Sequence, residues 1–417
     1  MLRLVEHLDP RRVRGLIGPW SHQYPDRGLP PGPAIGFLQE TLRWWDHWLK
    51  GVDNDVMDEP LLRAWISDAH PPATVYEELP GRWVAERSWP SATVVPVPYV
   101  FAGAPVAVAS PQHTGLDAGR FFPFGNEADL PPDQREEDAK SACFEFPVEG
   151  DEPVEILGRA SVTLRLRLDV PYGQVVARLC DVAPDGSSTL VTRGALNLSA
   201  RQGRHRAVPW PVGSYEDVSF ELGGIGHAFP PGHRIRLAVS SAYWPWIWPR
   251  AGSEAGWTWT GGQRADPARA GGRAGRGRDR VRAAGAGGAA GGDGPGHPGR
   301  TPPGTARRTG RRARHLAAGG RPALRGHPRV PGRPGVRRGG GGDLRDPGRG
   351  PAVGADPLAV ADPAAPAGPG WDARVETRSE ITCDEGGFLT SNEVVCREGD
   401  EVVFHRTWER RLPRSAG

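Results

Sequence analysis

Residues 160–168 read Ala-Ser-Val-Thr-Leu-Arg-Leu-Arg-Leu, and apolar and polar side chains alternate over the whole stretch. Alternation places the two sets of side chains on opposite faces of a strand, so the pattern predicts a half-buried β-strand. Segments of similar character follow after turn sequences rich in Pro, Gly and Asp; they are 175–182, 189–196, 217–222 and 234–240. Short, evenly spaced strands of this kind predict a β-sandwich or jelly roll.

A different pattern precedes the strands. Residues 13–17 are predicted to form a short buried strand, and a helix is predicted over 34–50, with Pro33 near its first turn and Gly51 just past its end. Its apolar positions follow the helical spacing: Ile35, Leu38, Leu42, Trp45 and Leu49, widened by Phe37, Trp44 and Trp48. So wide a stripe predicts a helix buried on two sides. Two strands, 62–66 and 82–84, lead into the sandwich.

Composition limits the class of protein. The 417 residues include 58 Gly and 44 Pro, only 38% are hydrophobic, and the four cysteines form no CxxC pair. These cysteines predict neither a zinc site nor a disulfide framework. No apolar run is long enough to span a membrane and no signal peptide is present, so a cytoplasmic protein without a membrane partner is expected.

Residues 260–370 differ sharply from the rest of the chain. They consist mainly of Gly, Arg, Ala and Pro, and they carry the positive charge that makes the net charge +3, so the remaining residues are net acidic. No part of this segment can bury a core, so disorder is expected. Three interpretations are open: a shifted reading frame in a GC-rich gene, which we favour, a natural linker, or a nucleic-acid-binding segment. No Trp, Tyr or Phe lies within the segment to stack on bases, so nucleic acid is not an expected partner.

Alternating sequence returns after Trp371. Residues 372–382, 387–396 and 401–411 are predicted strands, separated by the turn sequences Glu385-Gly386-Gly387 and Glu398-Gly399-Asp400.

Several motifs together resemble one enzyme family. They are Leu16-Ile17-Gly18-Pro19-Trp20-Ser21-His22, Leu42-Arg43-Trp44-Trp45-Asp46-His47-Trp48-Leu49, Ala177-Arg178-Leu179-Cys180-Asp181-Val182 and Phe229-Pro230-Pro231-Gly232-His233-Arg234. In this order they resemble the cocaine esterase / X-Pro dipeptidyl-peptidase (CocE/NonD-type) family of serine hydrolases. The resemblance covers residues 1–257 and 371–417.

The resemblance implies a fold class and domain boundaries. The chain is expected to be mostly β, with a C-terminal jelly-roll β-sandwich of the galactose-binding-like kind. The last strand, histidine loop and helix of a truncated α/β-hydrolase domain would precede it. The expected divisions are 1–55 for the hydrolase remnant, 56–259 for the first part of the sandwich, 260–370 for the low-complexity segment, and 371–417 for the final strands.

The resemblance also implies chemistry. His22 would be the histidine of a Ser-His-Asp triad that cleaves small-molecule esters or peptides through an acyl-enzyme, with no cofactor or metal. Triads of this fold follow the chain order Ser, Asp, His. No G-x-S-x-G pentapeptide occurs, and Asp9 lies too close to His22 in sequence to be the triad aspartate. We therefore expect a truncated, inactive chain; the alternative is a non-catalytic β-sandwich binding module. The sequence does not indicate an oligomeric state.

Other candidate residues are assigned structural roles. Trp244, Trp246 and Trp248 could line a substrate pocket, but packing is the favoured interpretation. The remaining histidines, His70, His227 and His233 among them, show no ligand spacing. The apolar stripe of the predicted helix would pack on a hydrolase sheet, and it would form an exposed patch in a chain without that sheet.

Overall fold

The structure is a computed structural model that describes residues 1–101, 103–121, 123–248, 256–260, 263–266, 353–361, 372–384 and 386–413. The chain divides into two compact units, 1–288 with 415–417, and 289–414. Most of the segment 260–370 lies outside the described residues; its described parts are Thr260 and two strands, so the prediction of disorder there stays a prediction.

The described residues of the first unit are mostly β. Its helices are α1 (Leu2–His7), α2 (Phe37–Lys50) and α3 (Arg135–Asp138). Its strands are β1 (Gly15–Ile17), β2 (Leu62–Ser67), β3 (Gly81–Glu86), β4 (Tyr99–Phe101), β5 (Val106–Val108), β6 (Ala142–Pro147), β7 (Val154–Arg167), β8 (Gln174–Val182), β9 (Ser188–Asn197), β10 (Tyr215–Phe229), β11 (Arg234–Ser240), β12 (Trp257–Trp259) and β13 (Gln263–Asp266). The strands predicted over 160–168, 175–182, 189–196, 217–222 and 234–240 are confirmed. Helices α1 and α3 and strands β4, β5, β6, β12 and β13 were not predicted; each has six residues or fewer.

Two sheets make up this unit. The larger has the order β1-β2-β10-β7-β12-β5, with β3 beside β2 and β13 beside both β4 and β7; the smaller has the order β6-β11-β8-β9. The longest pairing in the larger sheet is antiparallel and joins β7 to β10, whereas β1 lies parallel to β2. Side chains from both sheets form one hydrophobic cluster that includes Leu164, Leu166, Leu179, Phe229 and Leu237.

Strand β8 is buried along its entire length. Val175, Ala177 and Leu179 belong to the cluster between the two sheets. The intervening residue Arg178 pairs with Asp138 of α3, and Val176 packs with Ala118 in a second, small cluster. The segment around 114–141 therefore covers the outer face of the smaller sheet.

Helix α2 corrects two predictions. It begins at Phe37 instead of Ala34, and none of its residues is buried, so the prediction of burial on two sides is wrong. Arg63 of β2 donates to the carboxylate of Glu40 at 3.1 and 2.9 Å, which holds the charged side of the helix against the sheet. The apolar side is consequently exposed, with 57% of Leu38 and 75% of Leu49 accessible.

The described residues of the second unit form one antiparallel sheet in the order β14-β15-β16-β17. Its strands are β14 (Val353–Ala361), β15 (Ala373–Cys383), β16 (Gly387–Glu398) and β17 (Glu401–Pro413). The three strands predicted after Trp371 are confirmed, and Gly399 adopts the left-handed conformation (φ 57°) in the turn before β17. That these strands complete the sandwich of the first unit stays a prediction.

Candidate functional site

His22 lies on the loop that joins β1 to α2. Trp20 anchors this loop, because its indole N–H donates to the Pro33 carbonyl at 2.7 Å and its ring lies 5.9 Å from that of Trp83. A Cβ on Gly18 would approach the Trp20 ring to 2.6 Å, so a glycine is needed where the chain leaves β1. The Gly-Pro-Trp sequence thus delivers His22 to the surface in a fixed position.

A loop distant in sequence holds His22. The His22 backbone N–H donates to the Pro123 carbonyl at 2.6 Å. The Phe124 ring meets the imidazole edge-on, with 5.3 Å between ring centroids and 72° between the planes. The side chain of His22 is exposed. An exposed imidazole on a fixed backbone is suited to exchange protons with a reacting group.

The loop that contacts His22 is organised by Asp129, which is 2% exposed. One oxygen of its carboxylate, Oδ2, accepts the backbone N–H groups of Phe124 at 2.5 Å and Asn126 at 2.9 Å. The Arg120 guanidinium lies 3.4 Å from Oδ1. The carboxylate therefore accepts the backbone hydrogen bonds that a neighbouring strand would accept in a sheet.

A small cavity lies between the two loops and a third segment near Tyr76. Its volume is about 60 Å³, and its lining includes Trp20, Ser21, Pro30, Tyr76, Pro123 and Asp129. A liquid water molecule occupies about 30 Å³, whereas pockets for organic ligands measure roughly 300–1,000 Å³. At about 60 Å³ the cavity exceeds the volume of one water molecule but is well below that of a typical ligand pocket.

The other candidate side chains have hydrogen-bond partners of their own. Asp9 accepts hydrogen bonds from Arg11, and these bonds lower the pKa of its carboxyl group. The hydroxyl of Ser187 donates to Asp185 within the same turn, and that of Ser188 donates to buried Asp138. Ser253 lies outside the described residues.

The tryptophans 244–248 are packed. Trp244 is 7% exposed, and the Trp246 indole N–H donates to the Gly119 carbonyl at 3.0 Å. The guanidinium of Arg193 stacks on the Trp246 ring at 3.5 Å, and burial lowers the pKa of this arginine. These contacts favour the packing interpretation over an open substrate pocket.

A cluster of three histidines around the buried Asp181 is a feature that the sequence did not predict. Asp181 of β8 accepts hydrogen bonds from His227 Nε2 at 3.0 Å and from His233 Nδ1 at 2.7 Å. The His70 ring lies 6.1 Å from that of His227. Asp181 and His233 lie in two of the motifs quoted above, but nothing in the sequence indicated that these motifs would meet His227 and His70. Among the described residues, no group of histidine, cysteine or carboxylate side chains is arranged to hold a metal ion.

We expect the cluster to make stability depend on pH. Burial lowers the pKa of His70 below its ordinary 6.5; the nearby Asp68 carbonyl opposes this effect and His227 adds to it. The unfolded chain then binds a proton to this imidazole more readily than the folded chain. The stability that the neutral His70 imidazole contributes is therefore complete above pH 6.5 and is lost as the pH falls below that value.

Urea unfolding followed at about pH 7.5 and about pH 5.5 checks this expectation. The midpoint should fall with pH in the unmodified chain and should fall less in a His70→Gln variant. An equal fall in both chains would assign the pH dependence to other groups.

No helix in the described parts of the chain is long and apolar enough to cross a membrane.

Residues 54–255 match the family of X-Pro dipeptidyl-peptidase C-terminal non-catalytic domains. A Mycobacterium bovis protein whose name describes a serine esterase is 26% identical over 265 residues, which cover 54% of this chain and 40% of that protein.

Two further relatives carry related names. The cocaine esterase of Rhodococcus sp. is 23% identical, over 57% of this chain and 45% of the esterase. A Bacillus cereus protein whose name describes an Xaa-Pro dipeptidyl-peptidase is 23% identical, over 60% of this chain and 40% of that protein. The matched part of this chain thus spans less than half the length of each of these relatives.

Proposed function

Because residues 54–255 belong to the X-Pro dipeptidyl-peptidase C-terminal domain family, we propose that the chain is the C-terminal part of a CocE/NonD-type serine acyl-hydrolase. In this proposal the two packed sheets of the first unit, apart from β1, are the jelly-roll accessory domain. Strand β1, the His22 loop and helix α2 are the last elements of an α/β-hydrolase domain.

The observation that carries the proposal is the position of His22. It lies on the loop after β1, and its backbone N–H donates to the carbonyl of Pro123, a residue inside the matched domain. We assign it the role of general base, which takes the proton of a nucleophilic serine and returns it to the leaving group. The substrate is a small ester or peptide, with neither nucleic acid nor a membrane as partner.

We further propose that the chain by itself does not catalyse this reaction. Its sequence contains no G-x-S-x-G pentapeptide, and a base without a nucleophile cannot form an acyl-enzyme. The relatives are longer than the part matched here. The complete activity would belong to a polypeptide that also carries the serine and the aspartate.

A second candidate is a binding module without catalysis. The description of the matched domain as non-catalytic favours it. The exposed apolar side of α2 gives such a module a surface for a partner.

Labelling with a fluorophosphonate probe, which reacts with activated serines, separates the two candidates. The 417-residue chain should remain unlabelled, whereas the polypeptide read from an upstream start in the same frame should label. Labelling of the 417-residue chain would contradict the proposed inactivity. The binding module would be favoured if the upstream sequence in the same frame encoded no G-x-S-x-G pentapeptide, or if the extended polypeptide remained unlabelled.

A further inference from the structure

We propose that Asp129 is a positioning residue for His22. Its buried carboxylate orients the peptide group between Pro123 and Phe124, and that peptide group holds the His22 backbone and places an aromatic ring against the imidazole. The inference deepens the proposed function and rests on it for the catalytic meaning of His22. The geometric part stands on the contacts alone.

The carboxylate is buried and fully engaged. Asp129 is 2% exposed, and its Oδ2 atom receives the N–H groups of Phe124 and Asn126, with the Asn126 side-chain amide at 3.2 Å. Hydrogen bonds to an ionised acceptor are stronger than those between neutral groups. Removing the carboxylate would take the acceptor from the Phe124 and Asn126 N–H groups, and the loop would have to rearrange or admit water to satisfy them.

A single planar peptide group transmits this constraint to His22. The N–H of Phe124 and the C=O of Pro123 belong to the same peptide bond, and in the trans form they point in opposite directions. When Asp129 fixes the N–H, it also aims the carbonyl, which accepts the His22 N–H at 2.6 Å. The same step places Phe124 beside the imidazole.

The residue after Phe124 lies where the 123–126 segment and the His22 loop approach each other. Gly125 has φ of 88°, a left-handed conformation that favours glycine. A Cβ at this position would lie 2.8 Å from the Pro30 carbonyl, on the same loop as His22. The close approach leaves little room for the 123–126 segment to shift without moving the His22 loop as well.

A general base needs such support, because a displacement of about 1 Å can cost about 100-fold in rate. The triad aspartate orients an imidazole through its ring nitrogen. The Asp129 carboxylate acts on a different part of the residue, namely its backbone and one face of its ring. Asp129 is therefore assigned to placement of His22, and no proton passes through it.

The test uses the 417-residue chain and nuclear magnetic resonance with labelled histidine and backbone amides. Asp129→Ala should shift the imidazole resonances of His22. It should also lower the hydrogen-exchange protection of the His22 backbone amide by about tenfold, because one hydrogen bond contributes roughly that factor. Asp129→Asn keeps an oxygen acceptor and should retain most of both signals. Asp185→Ala is the matched control, because Asp185 also accepts a backbone N–H, from Ser187 in another turn.

Gly125→Ala provides a second route if Asp129→Ala does not fold. It should displace the loop and shift the same His22 resonances while the carboxylate remains. Unchanged His22 resonances and amide protection in folded Asp129→Ala, or in Gly125→Ala, would overturn the proposal. Because neither signal requires a nucleophile, this test can fail or succeed independently of fluorophosphonate labelling.

Discussion

Replacing His22 by alanine in the polypeptide extended to include the serine is expected to lower the rate of acyl-enzyme formation by about 10⁴–10⁶-fold. The imidazole would take the serine proton as the new bond forms, and no solvent base can match a base held in place. The extended polypeptide should still bind the substrate, because His22 acts on the chemical step. Fluorophosphonate labelling rates and the burst phase of ester hydrolysis measure this effect.

His205→Ala is the control for this experiment. His205 is exposed and follows β9 in another loop, so its loss should leave the labelling rate unchanged. A His22→Ala polypeptide that labels at the unmodified rate would show that the base is elsewhere, and the assignment of His22 would be wrong.

Replacing Asp138 by alanine is expected to lower the free energy of unfolding of the first unit by about 3–5 kcal/mol. Asp138 is 6% exposed and pairs with Arg178 at 2.8 Å and with Arg236 at 2.6 Å. The Arg178 side chain is completely buried. Loss of the carboxylate leaves this guanidinium charge in the interior without its anionic partner, which is far more costly than losing the attraction itself.

The urea midpoint, followed by tryptophan fluorescence, measures this change. Asp217→Ala is the matched control: Asp217 also pairs with an arginine, Arg165, but at 3.9 Å and with 65% of its side chain exposed. Solvent-exposed pairs contribute about 0–1 kcal/mol, so the control should shift the midpoint only slightly. Equal shifts of the midpoint in both variants would mean that the buried pair contributes no more to the free energy of unfolding than the exposed pair.

Helix α2 illustrates how far sequence reasoning reaches. Its apolar spacing and the glycine after its end predicted a helix, and its C-terminus at Lys50 is confirmed. Periodicity identifies an apolar side but not what covers it. The contact between Arg63 and Glu40 turns the charged side towards β2, and this contact joins positions 23 residues apart.

The site around His22 shows the same limit. The motif that ends at His22 made this residue a candidate, whereas nothing in residues 123–130 indicated that they would hold it. Asp129 belongs to an acidic, loop-like stretch, and such stretches are usually solvated. The structure brings this stretch against the His22 loop, which is about a hundred residues earlier in the chain.

The sequence by itself predicted most of the longer strands, the existence of α2 and the resemblance to the family that residues 54–255 match, and it singled out His22 as a candidate, because alternation, helical spacing and short motifs are local properties. Only the tertiary structure decided which side of α2 is exposed, which carboxylates are buried, and that Pro123 and Phe124 meet His22. Those outcomes depend on contacts between distant residues, and a side chain's burial and charge partners are set by the segments that fold against it.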